Sequence, residues 1–363
     1  MSLIEQLKQI PDHRHRRGLK HPLWMILMLS LLGFLCGYVG YRPLEDFCLE
    51  HAARLRQLLG LPETQSMPSY STFRRSFIEV DPQGWVEGFN AWSLATLPVL
   101  VAALLSVDGK SIRCTSSGGN TSAQNFISLV SIYEQTVGVI QLALMHNHQI
   151  SEIHVAQHLI AQLPPLPAGQ CFSLDALHTT QATVAAIEAS GQDYLLVVKQ
   201  NRAATYAAIA TIQATQIPQS QASKDDESHG RRVRRQAAVF EPTPELRAKW
   251  SNVSSVGVVQ RTGIRDQKPF EETVFYLSRA PLSATQLLQA SQQHWQIENG
   301  LHWVKDVTFE EDEPPRRGGH APVNWAIFHT FAITLARRQG WRTVPQALRN
   351  WANQLDKVFH FLV

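Results

Sequence analysis

Residues 23–39 read LWMILMLSLLGFLCGYV, seventeen positions without a charge, and an apolar run of that length must be withdrawn from water in any fold. As a helix it is about 26 Å long, at about 1.5 Å per residue, against about 30 Å of bilayer hydrocarbon. Arg14, Arg16, Arg17 and Lys20 precede it, a flank that also suits a signal or a span. No small-residue cleavage site of the A-x-A kind follows, and Gly33 and Gly37 break the run, with Gly40 just after it. Leu44, Phe47, Leu55 and the leucines within 58–61 offer helices to cover it. The expectation is therefore a helix buried in protein, not lipid, with the Gly33/Gly37 spacing explained by close helix packing.

Such a helix needs a large core around it, and composition supplies one. The 363 residues are 44% hydrophobic and 17% charged, which fits two or three packed parts and excludes wholesale disorder, collagen and coiled coil. A formal net charge of +3 rules out a polycation that holds nucleic acid by bulk charge, so any such contact must use local patches. Cys36, Cys48, Cys114 and Cys171 are too widely spaced for a C-x-x-C site and too few for a disulfide scaffold, which suits a reducing cytoplasm.

Periodicity divides the chain. Residues 1–95 read as an all-α domain punctuated by Pro22, Pro43, Pro62, Pro68 and Pro82. From 96 to 363 the vocabulary changes. Strands are predicted at 99–107, 126–133 and 137–145, a helix at 151–163, a strand at 171–174, an Ala-rich helix at 179–190 and a strand at 194–198. That order makes an α/β mixed sheet covered by crossover helices. Residues 216–282 read as a β-rich insertion: a polar, loop-like stretch at 216–226, then antiparallel strands at 231–241, 253–261 and 272–277. Helix resumes at Ser283, and a last pair of helices runs from Pro322 to the C-terminus.

Functional groups in α/β sheets gather where strands end. Asp108 ends the first apolar run and Asp175 the fourth, so neighbouring strands would project both carboxylates from one edge. Each alone also suits a turn or cap former. A third acid, Glu298, lies seven residues before Lys305 on a late helix, which puts the two on one helical face; Asp306, Glu310, Glu311 and Asp312 are alternatives. Three converging carboxylates suit Mg²⁺ completed by substrate phosphates, the two-metal arrangement for in-line phosphodiester displacement. Lys110, Lys199 and Lys305 would neutralise the phosphates.

At these residues the chain resembles the DDE transposases of bacterial insertion sequences, specifically the H-repeat-associated subgroup. The resemblance covers nearly the whole chain. It rests on Ile10-Pro11-Asp12 with Arg14, Gly18 and His21-Pro22, on Pro68-Ser69 with Ser71-Thr72-Phe73-Arg74-Arg75, and on Val107-Asp108-Gly109-Lys110. Further matches are Leu174-Asp175-Ala176, Lys199-Gln200-Asn201 and His229-Gly230-Arg231. The most specific run is His294-Trp295, Ile297-Glu298-Asn299, Leu301-His302-Trp303, Asp306-Val307, Phe309 and Glu311-Asp312. The resemblance implies a ribonuclease-H-like fold, with Asp108, Asp175 and Glu298 as catalytic metal ligands for Mg²⁺, or Mn²⁺. It implies hydrolysis of a phosphodiester at the element boundary and strand transfer into target DNA, on double-stranded DNA, by a homodimer and away from membranes. A catalytically silent DNA-binding remnant is the alternative. In related transposases a Tyr and an Arg precede the Glu where Ser291 and His294 stand here, Gln200 replaces a Gly, and Leu177-His178 replaces the subgroup's Met-Gly.

Several local patterns carry their own expectations. Residues 68–76, with a proline start, capping hydroxyls and Arg74-Arg75, suit a helix that meets DNA phosphates or an ordinary surface helix. Arg231, Arg232, Arg234 and Arg235 suit a phosphate-tracking strand or a surface ladder. His154 and His158 have zinc-pair spacing without a third ligand, so a solvated or capping role is expected. Trp295 and Trp303 are expected in the core.

Overall fold

The computed structural model describes residues 2–12, 14, 19–100, 104–117, 124–228, 231–265 and 268–363. Among the described residues six helices come first: α1 (Leu3–Gln9), α2 (Leu23–Leu35), α3 (Tyr41–Glu50), α4 (Ala52–Leu59), α5 (Tyr70–Glu79) and α6 (Pro82–Ala95). The apolar run forms α2, in which every residue but Trp24 is buried. A Cβ on Gly33 would stand 2.6 Å from Leu44 Cδ2 and 2.9 Å from Phe47 Cδ1, so α3 packs where only glycine leaves room. No helix among the described residues is long and apolar enough to cross a membrane.

Three antiparallel strands follow, β1 (Leu104–Ser117), β2 (Asn125–Glu134) and β3 (Gly138–His146), then α7 (Glu152–Ala161), β4 (Cys171–Leu174), α8 (Gln181–Ala189), β5 (Asp193–Val198) and α9 (Ala203–Thr215). β4 is parallel to β1, and β5 to β4. The order β3-β2-β1-β4-β5 with these directions is a ribonuclease-H-like mixed sheet, as expected. The insertion extends it. β6 (Ser220–Ser228), β7 (Arg231–Phe240), β8 (Ser255–Arg265) and β9 (Lys268–Ser278) are antiparallel, with α10 (Pro244–Lys249) between β7 and β8, and β9 joins β5 to give one nine-stranded sheet. The polar stretch expected as loop at 216–226 is largely strand β6. It lies at the sheet edge and pairs with β7 alone, so backbone hydrogen bonds define it without an apolar face.

The chain closes with α11 (Ala284–His294), α12 (Trp303–Phe309), α13 (Ala321–Arg338), α14 (Val344–Trp351) and α15 (Leu355–Leu362), three helices where a final pair was expected. One core joins α1–α6 and α13–α15 to one face of β1–β3 through Leu129, Tyr133, Val139 and Leu142. A second core lies on the other face, where Leu105, Val107, Val130 and Ile140 meet Val155, Leu159, Val184 and Ile209 of α7–α9. The first three strands are thus covered on both sides, and side chains at the open strand edge are placed by a rigid support.

Candidate active site

The parallel ladder between β1 and β4 ends with Val107 opposite Leu174, so the next residues, Asp108 and Asp175, start from neighbouring strands about 4.8 Å apart. Asp108 was expected at the end of its strand. Instead β1 continues to Ser117, paired with β2 through Ile112; what ends at Asp108 is its β4 neighbour. Asp175 does end a strand, and its Oδ1 accepts the Leu177 N–H at 2.9 Å, capping a short 3₁₀ turn, Ala176–His178.

A helix brings the third acid. α11 begins with a capping box, in which the Ser283 and Gln286 side chains each accept a backbone N–H from the other residue, and its last residue is tied to β4 by His294 Nδ1 and Ser173 Oγ at 2.8 Å. Glu298–His302 then forms a π turn that leads into α12, a wide turn often found at functional sites. Ile297, Leu301 and Val304 anchor it in the core, and Arg337 donates to the Gly300 carbonyl at 3.0 Å. Alternate residues of β1 meet residues four apart on this segment. His302 Nδ1 is 3.7 Å from Asp108 Oδ2 and 3.4 Å from Glu298 Oε2, while Lys110 Nζ is 2.6 Å from Asp306 Oδ1.

Asp108, Glu298 and His302 place ligand atoms all within 4.8 Å of one another, a group able to hold a metal ion. Burial, reinforced by the nearby Glu152 and Asp175 charges, lifts the Asp108 carboxyl to about 6 against the opposing pull of His302. Glu298 lies below its ordinary range, held there by His302 and, less strongly, by Lys110. The ligand set of carboxylate oxygens and one imidazole, with excess negative charge around a partly buried acid, fits a divalent cation.

The other expected site residues are distributed unevenly. Lys110 borders the acids but is already paired with Asp306, and lies 3.8 Å from Asp312. Lys199 is exposed just beyond β5, at the same sheet edge. Lys305, expected to share a face with Glu298, does not. It is 1% exposed, with Nζ 3.7 Å from Glu311 Oε1, an oxygen also held by His329 Nδ1 at 2.8 Å. The wider π turn changes the helical phase, so seven residues no longer restore the face. Trp295 and Trp303, expected in the core, are 48% and 57% exposed. Arg74 and Arg75 are exposed on α5. The Arg231 side chain lies outside the described residues, as do residues 229–230 and 15–18 of the motifs. Arg232, Arg234 and Arg235 face Glu227, Asp225 and Asp226 of β6, which makes the ladder charge-compensated. His154 bonds Ser151 Oγ at 2.8 Å.

Three neighbours of the acids were not anticipated as site residues: His302, Glu152 and His178. For His302 a signal exists in its spacing of four from Glu298. Glu152 and His178 meet through the packing of α7 on α8 and on β1–β3, and their 26-residue separation carries no local pattern.

Comparison with known proteins adds independent findings. The transposase DDE domain family matches residues 101–335, and the DDE_Tnp_1-associated family matches 4–93. The chain is 26% identical over 344 residues to the "H repeat-associated putative transposase YhhI" of Escherichia coli strain K12, covering 92% of this chain and 89% of that protein. It is 25% identical over 346 residues to the "Putative transposase YncI" of Escherichia coli O157:H7, covering 93% and 87%.

Proposed function

The chain belongs to the transposase DDE domain family, and from that premise we propose that it cuts DNA at the ends of its own mobile element and joins the freed 3′-hydroxyl to target DNA. The observation that carries this reading is the convergence of Asp108 and Glu298 on one point, with Asp175 on the adjoining strand. Asp108, Asp175 and Glu298 would hold Mg²⁺ or Mn²⁺, with His302 beside them. When bound, the cation supplies Lewis-acid polarisation of the phosphate and acidifies the attacking water.

The chain's own groups do the rest. His302 sets the Asp108 and Glu298 carboxylates at a fixed separation, and the core beneath Ile297, Leu301 and Val304 keeps the helix from withdrawing Glu298. Lys199 meets a backbone phosphate at the sheet edge. Lys110 keeps the acidic helix end docked on β1 through Asp306. Arg74 and Arg75 contact DNA phosphates at a distance from the reaction, positioning without reading sequence. The division of labour proposed is residues 1–95 as a DNA-binding part and 96–363 as the catalytic part, with two copies acting together on DNA in the cytoplasm.

The test is cleavage of a duplex carrying the element's terminal repeats, with and without Mg²⁺. Wild-type protein is expected to release a 3′-hydroxyl at the boundary only with metal. Asp108→Ala, Asp175→Ala and Glu298→Ala are each expected to abolish cleavage while retaining binding to the repeats. Specific binding by the wild type without cleavage would overturn the proposal and favour a silent DNA-binding remnant.

A further inference from the structure

Glu152, the first residue of α7, reaches across to the strand that carries Asp108. Its carboxylate lies over the Cα of Gly109, where an added Cβ would stand 2.6 Å from Glu152 Cδ, so the strand admits this acid only because residue 109 has no side chain. Glu152 also contacts His178. That imidazole is fully buried in the turn after β4, with Nε2 3.1 Å from Glu152 Oε1 and 4.0 Å from Asp175 Oδ1. Its Nδ1 is buried without a hydrogen-bond partner. A proton there would be an unsatisfied donor, so the ring's proton belongs on Nε2, where Glu152 accepts it.

The Asp175 carboxylate has few other restraints. Its Oδ1 accepts the backbone N–H groups of Leu177 at 2.9 Å and His178 at 3.4 Å, and Oδ2 has no partner among the described residues. The imidazole packed beside Oδ1 therefore limits how the carboxylate turns. Partners of this outer kind orient a metal-holding group, and their loss typically weakens metal binding or activity about 10–100-fold.

We infer that Glu152 and His178 form a positioning pair for Asp175: Glu152 fixes the imidazole, and the imidazole holds the carboxylate in the orientation that metal binding requires. The inference rests on the metal-centre reading above. Glu152 is also among the negative charges that act on Asp108, which agrees with its placement at the centre's edge.

The experiment is Mn²⁺ binding to the full chain, followed by electron paramagnetic resonance, with Asp108→Asn as the control that the binding uses the centre. His178→Ala and Glu152→Ala are each expected to raise the Mn²⁺ dissociation constant about 10–100-fold with unchanged circular dichroism. His178→Gln and Glu152→Gln, which keep an N–H donor and an acceptor oxygen, are expected to recover part of the affinity. The double alanine variant is expected to be no weaker than His178→Ala, because the pair acts as one unit. In cleavage, the metal concentration for half-maximal rate should rise while the rate at saturating metal holds. Glu152→Ala, at a helix start, carries the test if His178→Ala fails to fold. A folded variant that binds Mn²⁺ with wild-type affinity, while Asp108→Asn does not, overturns the pair and leaves the centre standing. Binding indifferent to Asp108→Asn overturns the centre, and this inference with it.

Discussion

Asp108 is held where its ionised form is poorly solvated, and the consequence is measurable without any reaction. Its carboxyl rises from the ordinary 3.8 to about 6, chiefly by burial, a gap worth about 3 kcal/mol. The raised value means that the folded chain binds this proton more tightly than the unfolded one. The stability so gained is complete below about pH 4 and is lost as pH rises through about 6. Asp108→Asn should therefore raise the melting temperature of metal-free protein at pH 8 and lose that advantage near pH 4; a pH-independent difference would refute the account. Gly109→Ala should displace Glu152 and weaken Mn²⁺ binding, with Gly109→Ser behaving alike. Asp108 and Asp175 were legible because each directly follows a short buried apolar run. Glu152 and His178 were not, because their meeting depends on how α7 lies across the sheet.

The helix around Glu298 shows where periodicity stops being a sufficient guide. The sequence is amphipathic on the straight-helix rule, and Ser283 and the helix after it were readable from capping and spacing. The π turn at Glu298–His302 has no such signature, and beyond it Lys305 faces inward while Trp303, like Trp295 before the turn, lies outside. Lys305, Glu311 and His329 form a buried charged group that fastens α12 to α13. Burial pulls the Lys305 ammonium below its ordinary range. Removing one member leaves a buried charge uncompensated, so Lys305→Met should destabilise the protein by about 3–5 kcal/mol, and Lys305→Met with Glu311→Leu should recover most of that loss in denaturant unfolding. DNA binding gives the complementary check. Lys305→Met should leave the slope of log affinity against log salt unchanged, whereas Lys199→Ala should lower it by about 1. β6 was illegible for a different reason: its Ser, Gln, Lys, Asp and Glu side chains show no alternation of apolar and polar faces, and only its pairing with β7 makes it a strand.

Across the whole molecule, the first 95 residues share a core with the C-terminal helices. Phe328 packs on Trp85 and Phe77, with ring centroids 4.7 and 5.1 Å apart, and Phe331 on Phe89 and Trp92, at 4.9 and 5.0 Å. Each such side chain is worth about 1.5–3 kcal/mol on burial, and several would be bared together if residues 1–95 were removed. Residues 96–363 alone should lack a cooperative unfolding transition and aggregate, which calorimetry and light scattering would show. The proposed role of Arg74 and Arg75 in DNA binding is better tested by Arg74→Ala and Arg75→Ala in the full chain, each expected to reduce the salt slope by about 1.

The central claim is that Asp108, Asp175 and Glu298 hold the catalytic cation. Anomalous scattering from crystals soaked in Mn²⁺ tests it most directly. The account predicts a peak touching the carboxylates of Asp108 and Glu298, with Asp175 engaged at the same centre. Crystals saturated with Mn²⁺ that show no peak at Asp108, or show the ion bound elsewhere in the chain, would contradict it.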